Sequence, residues 1–243
     1  MTALILQGRL DSSRLPNKAL LPLGEKPMLL RVMEAAKMIP ADLHILACPD
    51  DSLAAFGPLV GSAGFELMGG PKFDVLRRYC IAIRHYSVDW VIRATGDNPF
   101  VFADAASALL RETQAMGADY AGYAALPYGA GVEVVRARAL LQAGEEASSE
   151  AEREHVCPFL YNHSERFLLH RPLAPRIWQG PEIRLTVDTA EDYARSQQLY
   201  CALSPLSMDE RSNGETIISV FRKTFQNSNS VSVTDTILKV TPR

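Results

Sequence analysis

The chain has 243 residues, 47% hydrophobic and 22% charged, with a formal net charge of −3. That length supports a full core in one domain, and the slightly acidic balance excludes general nucleic-acid binding, which draws on a basic surface. Cys48, Cys80, Cys157 and Cys201 form no C-x-x-C, no apolar run reaches membrane-spanning length and no basic n-region precedes an apolar h-region; a cytoplasmic setting with buried, reduced thiols and no membrane partner is expected.

Ala3 to Leu6 reads as a buried strand. It breaks into a polar loop, Gln7 to Lys18 (QGRLDSSRLPNK), where Arg9, Arg14 and Lys18 face one acid, Asp11, for a formal charge of +2. Three cations cannot be core without partners. A basic loop between a strand and a helix lies where parallel α/β sheets place their ligands. Gly8, Ser12 and Ser13 allow close backbone approach and offer N–H and hydroxyl donors, arginine offers a planar fork, and lysine a mobile charge. Together they suit a polyphosphate; a solvated basic loop is the plainer alternative.

Lys26-Pro27 is expected to start a helix whose apolar face, Met28, Leu29, Val32, Ala35, Ala36 and Ile39, runs to about Met38 before Pro40. Leu43 to Cys48 is a second strand. Asp50 or Asp51 caps a helix to about Ser62, disturbed at Gly57-Pro58. Phe65 to Met68 is a third strand, and Asp74 caps a helix to about Tyr86 with an exposed Arg77-Arg78 pair. Asp89 to Ala94 is the fourth strand and runs into Thr95-Gly96-Asp97-Asn98-Pro99. A carboxylate ending a buried parallel strand is placed to hold Mg²⁺ against phosphates; a turn or cap aspartate is the alternative.

Phe102 to Met116 reads as a helix and Asp119 to Ala121 as a short strand. The stretch PYGAGVEVV, 127 to 135, is Gly-rich and then apolar, and Glu133 by residue type is an edge-strand glutamate. Arg138 to Glu146 is a helix, Ser149 and Glu152 fit a capping box, and Phe167 to Arg171 is a strand. Ile183 to Val187 alternates like a strand, and Asp188 or Thr189 caps a helix to Leu203. Farther on, Ile217 to Phe225 fits a helix or a strand, Gln226 to Ser230 a turn, and Val231 to Val240 an edge strand. Strands alternating with helices imply right-handed β-α-β crossovers in a mainly parallel sheet.

The spacing Q-x-R-x-x-x-S-R-L-P-x-K from Gln7 to Lys18 resembles the N-terminal signature of nucleotide-sugar cytidylyltransferases, which activate KDO and acylneuraminate with CTP. It is most similar to the spore-coat polysaccharide cytidylyltransferase subfamily, with Gly8 where that group commonly has Ala. Other family patterns match at Asp74 to Tyr79 (D-V-L-x-R-Y, with Arg77 in the variable place), Thr95 to Pro99 (T-G-D-x-P), Glu152 to Pro158 (Cys157 replacing Thr) and Arg184 to Asp192 (Ala190 replacing Pro). A looser match covers Glu133.

The resemblance spans roughly Ala3 to Leu203. It implies a three-layer, Rossmann-like α/β nucleotidyltransferase (GT-A-like) fold with a small substrate and dimerisation lobe. Residues 1–203 would form the nucleotidyltransferase domain, with the substrate and dimerisation segment at about 123–182, and 204–243 a C-terminal extension without an assigned role. It further implies a homodimer and Mg²⁺-dependent transfer of CMP from CTP to a sugar-like acceptor for surface polysaccharide. Nucleotide contacts fall to Gln7, Gly8, Arg9, Ser13, Arg14, Lys18, Asp74, Arg78, Thr95, Gly96 and Asp97. Catalytic roles fall to Arg9, Lys18 and Asp97, metal ligation to Asp97 and Asp188, and acceptor contacts to Glu133, Glu154 and His155.

Two rival functions stand beside this one. A GT-A-type glycosyltransferase using a nucleotide sugar commonly carries D-x-D, whereas residues 97 to 99 hold one acid; a non-catalytic nucleotide-binding protein would have no need of the full set Arg9, Lys18, Asp97 and Asp188. No G-x-S-x-G, H-E-x-x-H or G-x-x-x-x-G-K-[ST] occurs, which argues against the corresponding hydrolases and P-loop NTPases.

Overall fold

The computed structural model of the protein describes residues 1–226. The apolar opening forms β1 (Thr2–Gln7), and past the basic loop come a two-residue hairpin, β2 (Pro22–Leu23) with β3 (Lys26–Pro27), and α1 (Met28–Ala36). Lys26-Pro27 therefore belongs to the hairpin, not to the helix. Pro27 is extended, at φ −54° and ψ 142°, and the helix starts one residue later.

Next follow β4 (Leu43–Ala47), α2 (Leu53–Ala63), β5 (Glu66–Met68), α3 (Val75–Tyr86), β6 (Trp90–Thr95) and α4 (Ala103–Met116), close to the expected places. Asp74 caps α3 by accepting from the Arg77 N–H, and Pro58 is accommodated inside α2. The chain continues through β7 (Tyr120–Ala121), β8 (Glu133–Arg136), α5 (Ala137–Glu146), α6 (Glu150–His155), α7 (Pro158–Asn162), β9 (Leu169–His170), α8 (Ala190–Leu203), α9 (Met208–Arg211) and α10 (Gly214–Phe225). Ser149 and Glu152 make the expected capping box on α6. On α8 the cap is Thr189, in a second box with Asp192. Ile183 to Val187 is no strand; its sheet-like pairing is a single bridge from Arg184 to Tyr128. The turn expected from Gln226 falls, from residue 227 on, outside the described residues, as does the edge strand expected at Val231 to Val240.

One sheet has the order β5-β4-β1-β6-β8-β7-β9. Its first four strands are parallel, β8 runs antiparallel to both β6 and β7, and β9 is parallel to β7. Glu133, on β8, thus lies inside the sheet and not at its edge. The chain leaves β1 toward β4 on one side and returns as β6 on the other. The C-terminal ends of β1 and β6 therefore bound a topological switch point, where open α/β sheets bind ligands.

Successive strand residues point to opposite faces. Ala3, Ile5, Ile45, Val91 and Val135 pack with Leu76, Tyr79 and Leu140 from α3 and α5. Leu4, Leu6, Leu46, Ile92 and Val134 pack with Leu29, Phe56 and Leu109 from α1, α2 and α4. Three layers result. A further core joins Phe102 and Trp178 to Leu199 and Leu203 of α8 and to Ile217 and Ile218 of α10, so residues beyond 203 share apolar packing with those before it. Among the described residues no helix is long and apolar enough to cross a membrane.

Asp104 pins this last core. Its carboxylate accepts from Trp178 Nε1 at 2.8 Å, Asn213 Nδ2 at 2.9 Å and the Gly214 N–H at 3.0 Å. Asp104→Ala would leave these three donors, and the Ala105 N–H that also reaches Oδ1 at 3.0 Å, unpaired, and we expect a loss of about 3 kcal/mol, since each hydrogen bond to a charged group contributes roughly 1.5–3. That corresponds to a thermal midpoint lowered by about 6–12 °C for a domain of this size. A melting curve overlapping that of the wild type would show that Asp104 does not hold α10.

Candidate functional site

At the switch point the Gly96 N–H donates to the Gln7 carbonyl at 2.8 Å, joining the ends of β6 and β1. A Cβ at Gly96 would stand 3.0 Å from Gln7 O and 3.1 Å from Leu29 Cδ1, so a larger residue would part the strand ends. Gly8, next along, donates its N–H to the Ala47 carbonyl at 3.2 Å. The loop after it lines an open hollow of about 470 Å³ with Arg9, Asp11, Ser12 and Ser13.

A distant segment is laid onto this point. Tyr128 N–H donates to Ile183 O and Leu185 N–H to Tyr128 O, each at 2.8 Å, and Val187 N–H donates to Asp97 O at 2.9 Å. Gly129 makes the approach possible. Its φ is +93°, in the region that favours glycine, and a Cβ there would lie 2.6 Å from Thr186 N and 2.9 Å from Asn98 Oδ1. The result is that Asp188 arrives beside Asp97.

Lys18 closes the gap between them. Its Nζ lies 3.1 Å from Asp97 Oδ2, 3.1 Å from Asp188 Oδ1 and 2.7 Å from the Val187 carbonyl. Arg14, largely exposed, reaches the same Asp188 Oδ1 at 3.1 Å. Asp188 Oδ2 accepts from Arg184 Nη2 at 2.8 Å, and Arg184 Nε donates to Asp192 Oδ1 at 2.9 Å. Burial alone would raise the Asp192 carboxyl. Arg184 and the N–H groups of Asp188 and Thr189 outweigh it and hold the carboxyl well below the usual carboxylate range. The Arg184 guanidinium is raised in turn, chiefly by its hydrogen bond to Asp192. Asp192 and Arg184 thus form a brace that fixes the Asp188 carboxylate from behind.

The remaining expected residues spread around this centre. Gln7 Oε1 accepts from the Tyr79 hydroxyl at 3.3 Å. Thr95 Oγ1 accepts from Asn98 Nδ2 at 2.8 Å, and Asn98 Oδ1 is buried without a partner. Arg9 faces Glu154 at 3.7 Å across open surface. His155, exposed at the end of α6, is followed by a γ-turn at Val156, with φ 74° and ψ −56°; the Cys157 N–H donates back to the His155 carbonyl at 2.9 Å. That conformation is rare and strained for a β-branched residue. It ends α6 abruptly beneath Glu154 and His155.

Other expected residues support the site from outside it. Asp74 caps α3 and pairs with Arg153 at 2.8 Å. Arg78 is buried, not exposed; its guanidinium donates to the carbonyls of Pro71 at 2.6 Å and Lys72 at 3.1 Å, pinning that loop. Burial lowers its pKa. Glu133 has both oxygens engaged: Oε2 accepts from Arg93 Nη1, and Oε1 from the Tyr120 hydroxyl at 2.7 Å. Burial first, and then the Glu133 charge, push the Tyr120 hydroxyl and the Cys157 thiol upward. Burial also pushes the Cys48 thiol up to about 11, so neither thiol offers a thiolate nucleophile.

Five further residues contribute, and three of them, Arg93, Lys72 and Gly129, escape a reading of the sequence alone. Arg93 meets Glu133 only through the antiparallel register of β6 and β8. Lys72 reaches Asp11 at 2.9 Å and Asp51 at 3.0 Å, tying the basic loop to its neighbour. Gly129 reveals itself only through the chain that packs on it. Arg184 and Asp192 flank Asp188 at four-residue spacing, a signal that was available.

The centre fits a hard divalent ion. Asp97 Oδ1 has no hydrogen-bond or ion-pair partner among the described residues. Among these same residues no set of three or more His, Cys, Asp or Glu could hold a metal unaided. Two carboxylates, with phosphate oxygens and waters completing the shell, is the usual way Mg²⁺ is bound.

The family described as cytidylyltransferase matches residues 3–224. Spore coat polysaccharide biosynthesis protein SpsF of Bacillus subtilis is 32% identical over 206 residues, covering 81% of this chain and 85% of that protein. Among solved structures, a cytidylyltransferase from Leptospira borgpetersenii superposes with a TM-score of 0.81 at 21% identity, covering 98% of this chain and 99% of the other. CMP:2-keto-3-deoxy-manno-octonic acid synthetase complexed with CTP superposes with a TM-score of 0.66 at 17% identity, covering 84% and 99%; these two likenesses are of fold.

Proposed function

The chain belongs to the cytidylyltransferase family, and from that premise we propose that it transfers CMP from CTP to a hydroxyl of a sugar-like acceptor, releasing pyrophosphate. The observation that carries the reading is the convergence of Lys18, Asp97 and Asp188, with 3.1 Å contacts, at the switch point of the sheet. The kinship with a spore-coat polysaccharide protein supports a polysaccharide precursor as acceptor. The CTP complex of the octonic acid synthetase supports the choice of nucleotide.

In this reaction the acceptor oxygen bonds to the α-phosphorus, the bond from that phosphorus to the β-bridging oxygen breaks, and the hydroxyl proton passes to solvent. Such displacement needs positioning and charge neutralisation more than covalent help. Lys18 and Arg14 hold the triphosphate and offset charge on the departing pyrophosphate. Arg9 extends that cationic surface toward α6, where Glu154 and His155 border the acceptor. Asp97 and Asp188 are the residues that would hold Mg²⁺, which supplies positive charge against the phosphate oxygens. Arg184 and Asp192 keep Asp188 in place, and the Arg93–Glu133–Tyr120 cluster shapes the floor on the acceptor side.

The test is pyrophosphate release from CTP, UTP, GTP and ATP with Mg²⁺ and a panel of neutral and acidic sugars. CTP is expected to be the donor, with release stopped by EDTA and restored by Mg²⁺. Release of a nucleoside diphosphate from a nucleotide sugar would point instead to glycosyl transfer. Turnover persisting in EDTA would remove the role given to the two aspartates.

A further inference from the structure

Both carboxylates of the centre are already neutralised by the protein. Asp188 has no idle oxygen: Oδ1 meets Lys18 and Arg14, each at 3.1 Å, and Oδ2 meets Arg184 at 2.8 Å. Asp97 Oδ2 meets Lys18 at 3.1 Å. An ammonium group has three donors. Those of Lys18 are matched by two carboxylates and the Val187 carbonyl. Lys18, Arg14, Arg184 and Arg195 balance Asp97, Asp188, Asp192 and Glu191 charge for charge. The side chains of Lys18 and Asp188 are each only 13% exposed, so solvent screens this cluster weakly.

We infer that Lys18 is the resident counterion of the Asp97–Asp188 pair, and that the site accepts a divalent cation only together with a nucleoside triphosphate, as one ligand. The inference rests on the assignment of these two aspartates to metal binding. A free divalent ion would have to displace a tethered ammonium, which competes at high effective concentration. It would also leave a balanced, half-buried cluster with two excess positive charges. A triphosphate removes both obstacles. Its oxygens offer Lys18 and Arg14 new anionic partners, and their departure frees Asp97 and Asp188. Arg14 is 62% exposed and can swing at little cost. Lys18 is carried on a flexible four-carbon stem. Arg184 stays behind, held by Asp192, so Asp188 does not move when its other cations leave.

Mn²⁺ is the probe, read by water-proton relaxation enhancement, which separates protein-bound Mn²⁺ from Mn²⁺ on free nucleotide. Wild-type protein alone is expected to bind Mn²⁺ weakly, and with an α,β-methylene analogue of CTP to bind it at least about tenfold more tightly. Lys18→Met is expected to bind Mn²⁺ without nucleotide at least about tenfold more tightly than the wild type, because a full positive charge next to both ligands is gone. Equal affinity of the wild type for Mn²⁺ with and without the analogue would overturn the inference, as would unchanged affinity in Lys18→Met. If neither protein binds Mn²⁺ even with the analogue, the assignment of the two aspartates to metal binding fails, and the inference with it. If Lys18→Met does not fold, the wild-type comparison with and without the analogue decides the matter alone.

Discussion

Asp97→Asn is expected to slow pyrophosphate release by about 10²–10³-fold, the usual consequence of removing one preorganised charge from a site that stabilises a charged transition state. The substitution keeps the shape of the side chain and one carbonyl oxygen for Lys18. It removes a formal charge from the only carboxylate at the centre with an unengaged oxygen, among the described residues. The fold should survive. Lys18 retains Asp188 and the Val187 carbonyl, and the amide oxygen can still accept from it, so the loss is about 1 kcal/mol. The thermal midpoint should therefore stay within about 4 °C of the wild type. Turnover close to wild type in a phosphate-release assay would show that Asp97 does not act at the reacting phosphate.

Gly129→Ala is expected to disable the enzyme from a position assigned to neither substrate. The substitution places a Cβ 2.6 Å from Thr186 N at a φ of +93°. Alanine in left-handed backbone costs about 1–2 kcal/mol, and the clash with backbone adds about 1–3. The chain can relieve the clash by lifting the 183–188 segment, which takes Asp188 away from Lys18 and Asp97. A displacement of about 1 Å in such a site lowers turnover by about 10²-fold. Because the loss runs through Asp188, a double variant with Asp188→Asn should be little worse than Asp188→Asn alone. Additive losses in that cycle would mean that Gly129 acts by another route.

The parts of this protein that announce themselves in the sequence are those set by short-range rules. Asp74 before an apolar-periodic run caps α3, Ser149 and Glu152 close a capping box, and the strands near the site begin and end within a residue or two of expectation. Lys18, Asp97 and Asp188 were legible as a set because long motifs surround each of them, not because spacing along the chain reveals proximity. What stayed hidden depends on pairing between remote segments. The alternation of Ile183 to Val187 suggests a strand, yet its partners are the Tyr128 turn and the Asp97 carbonyl, so it forms a strap and not a ladder. Arg78 looked like half of an exposed pair because periodicity cannot tell that the loop at Pro71 and Lys72 covers it. Glu133 looked like an edge residue because nothing along the chain says that β8 pairs with β6 on one side and with β7 on the other. Ile217 to Phe225 could be a helix or a strand on apolar content alone, and the core around Phe102 and Trp178 decides for the helix.

The strap at residues 183–188 also bears on biosynthesis. Asp188 follows Lys18 by 170 positions, so during translation roughly 10–30 s separate their appearance at ordinary elongation rates. In the later part of that interval the nascent chain carries the cationic turn and Asp97 while Asp188 is still unmade. On the proposed reading, nucleotide gains its full grip only once the strap has been made, and a chain cut short before it is expected to be catalytically inert.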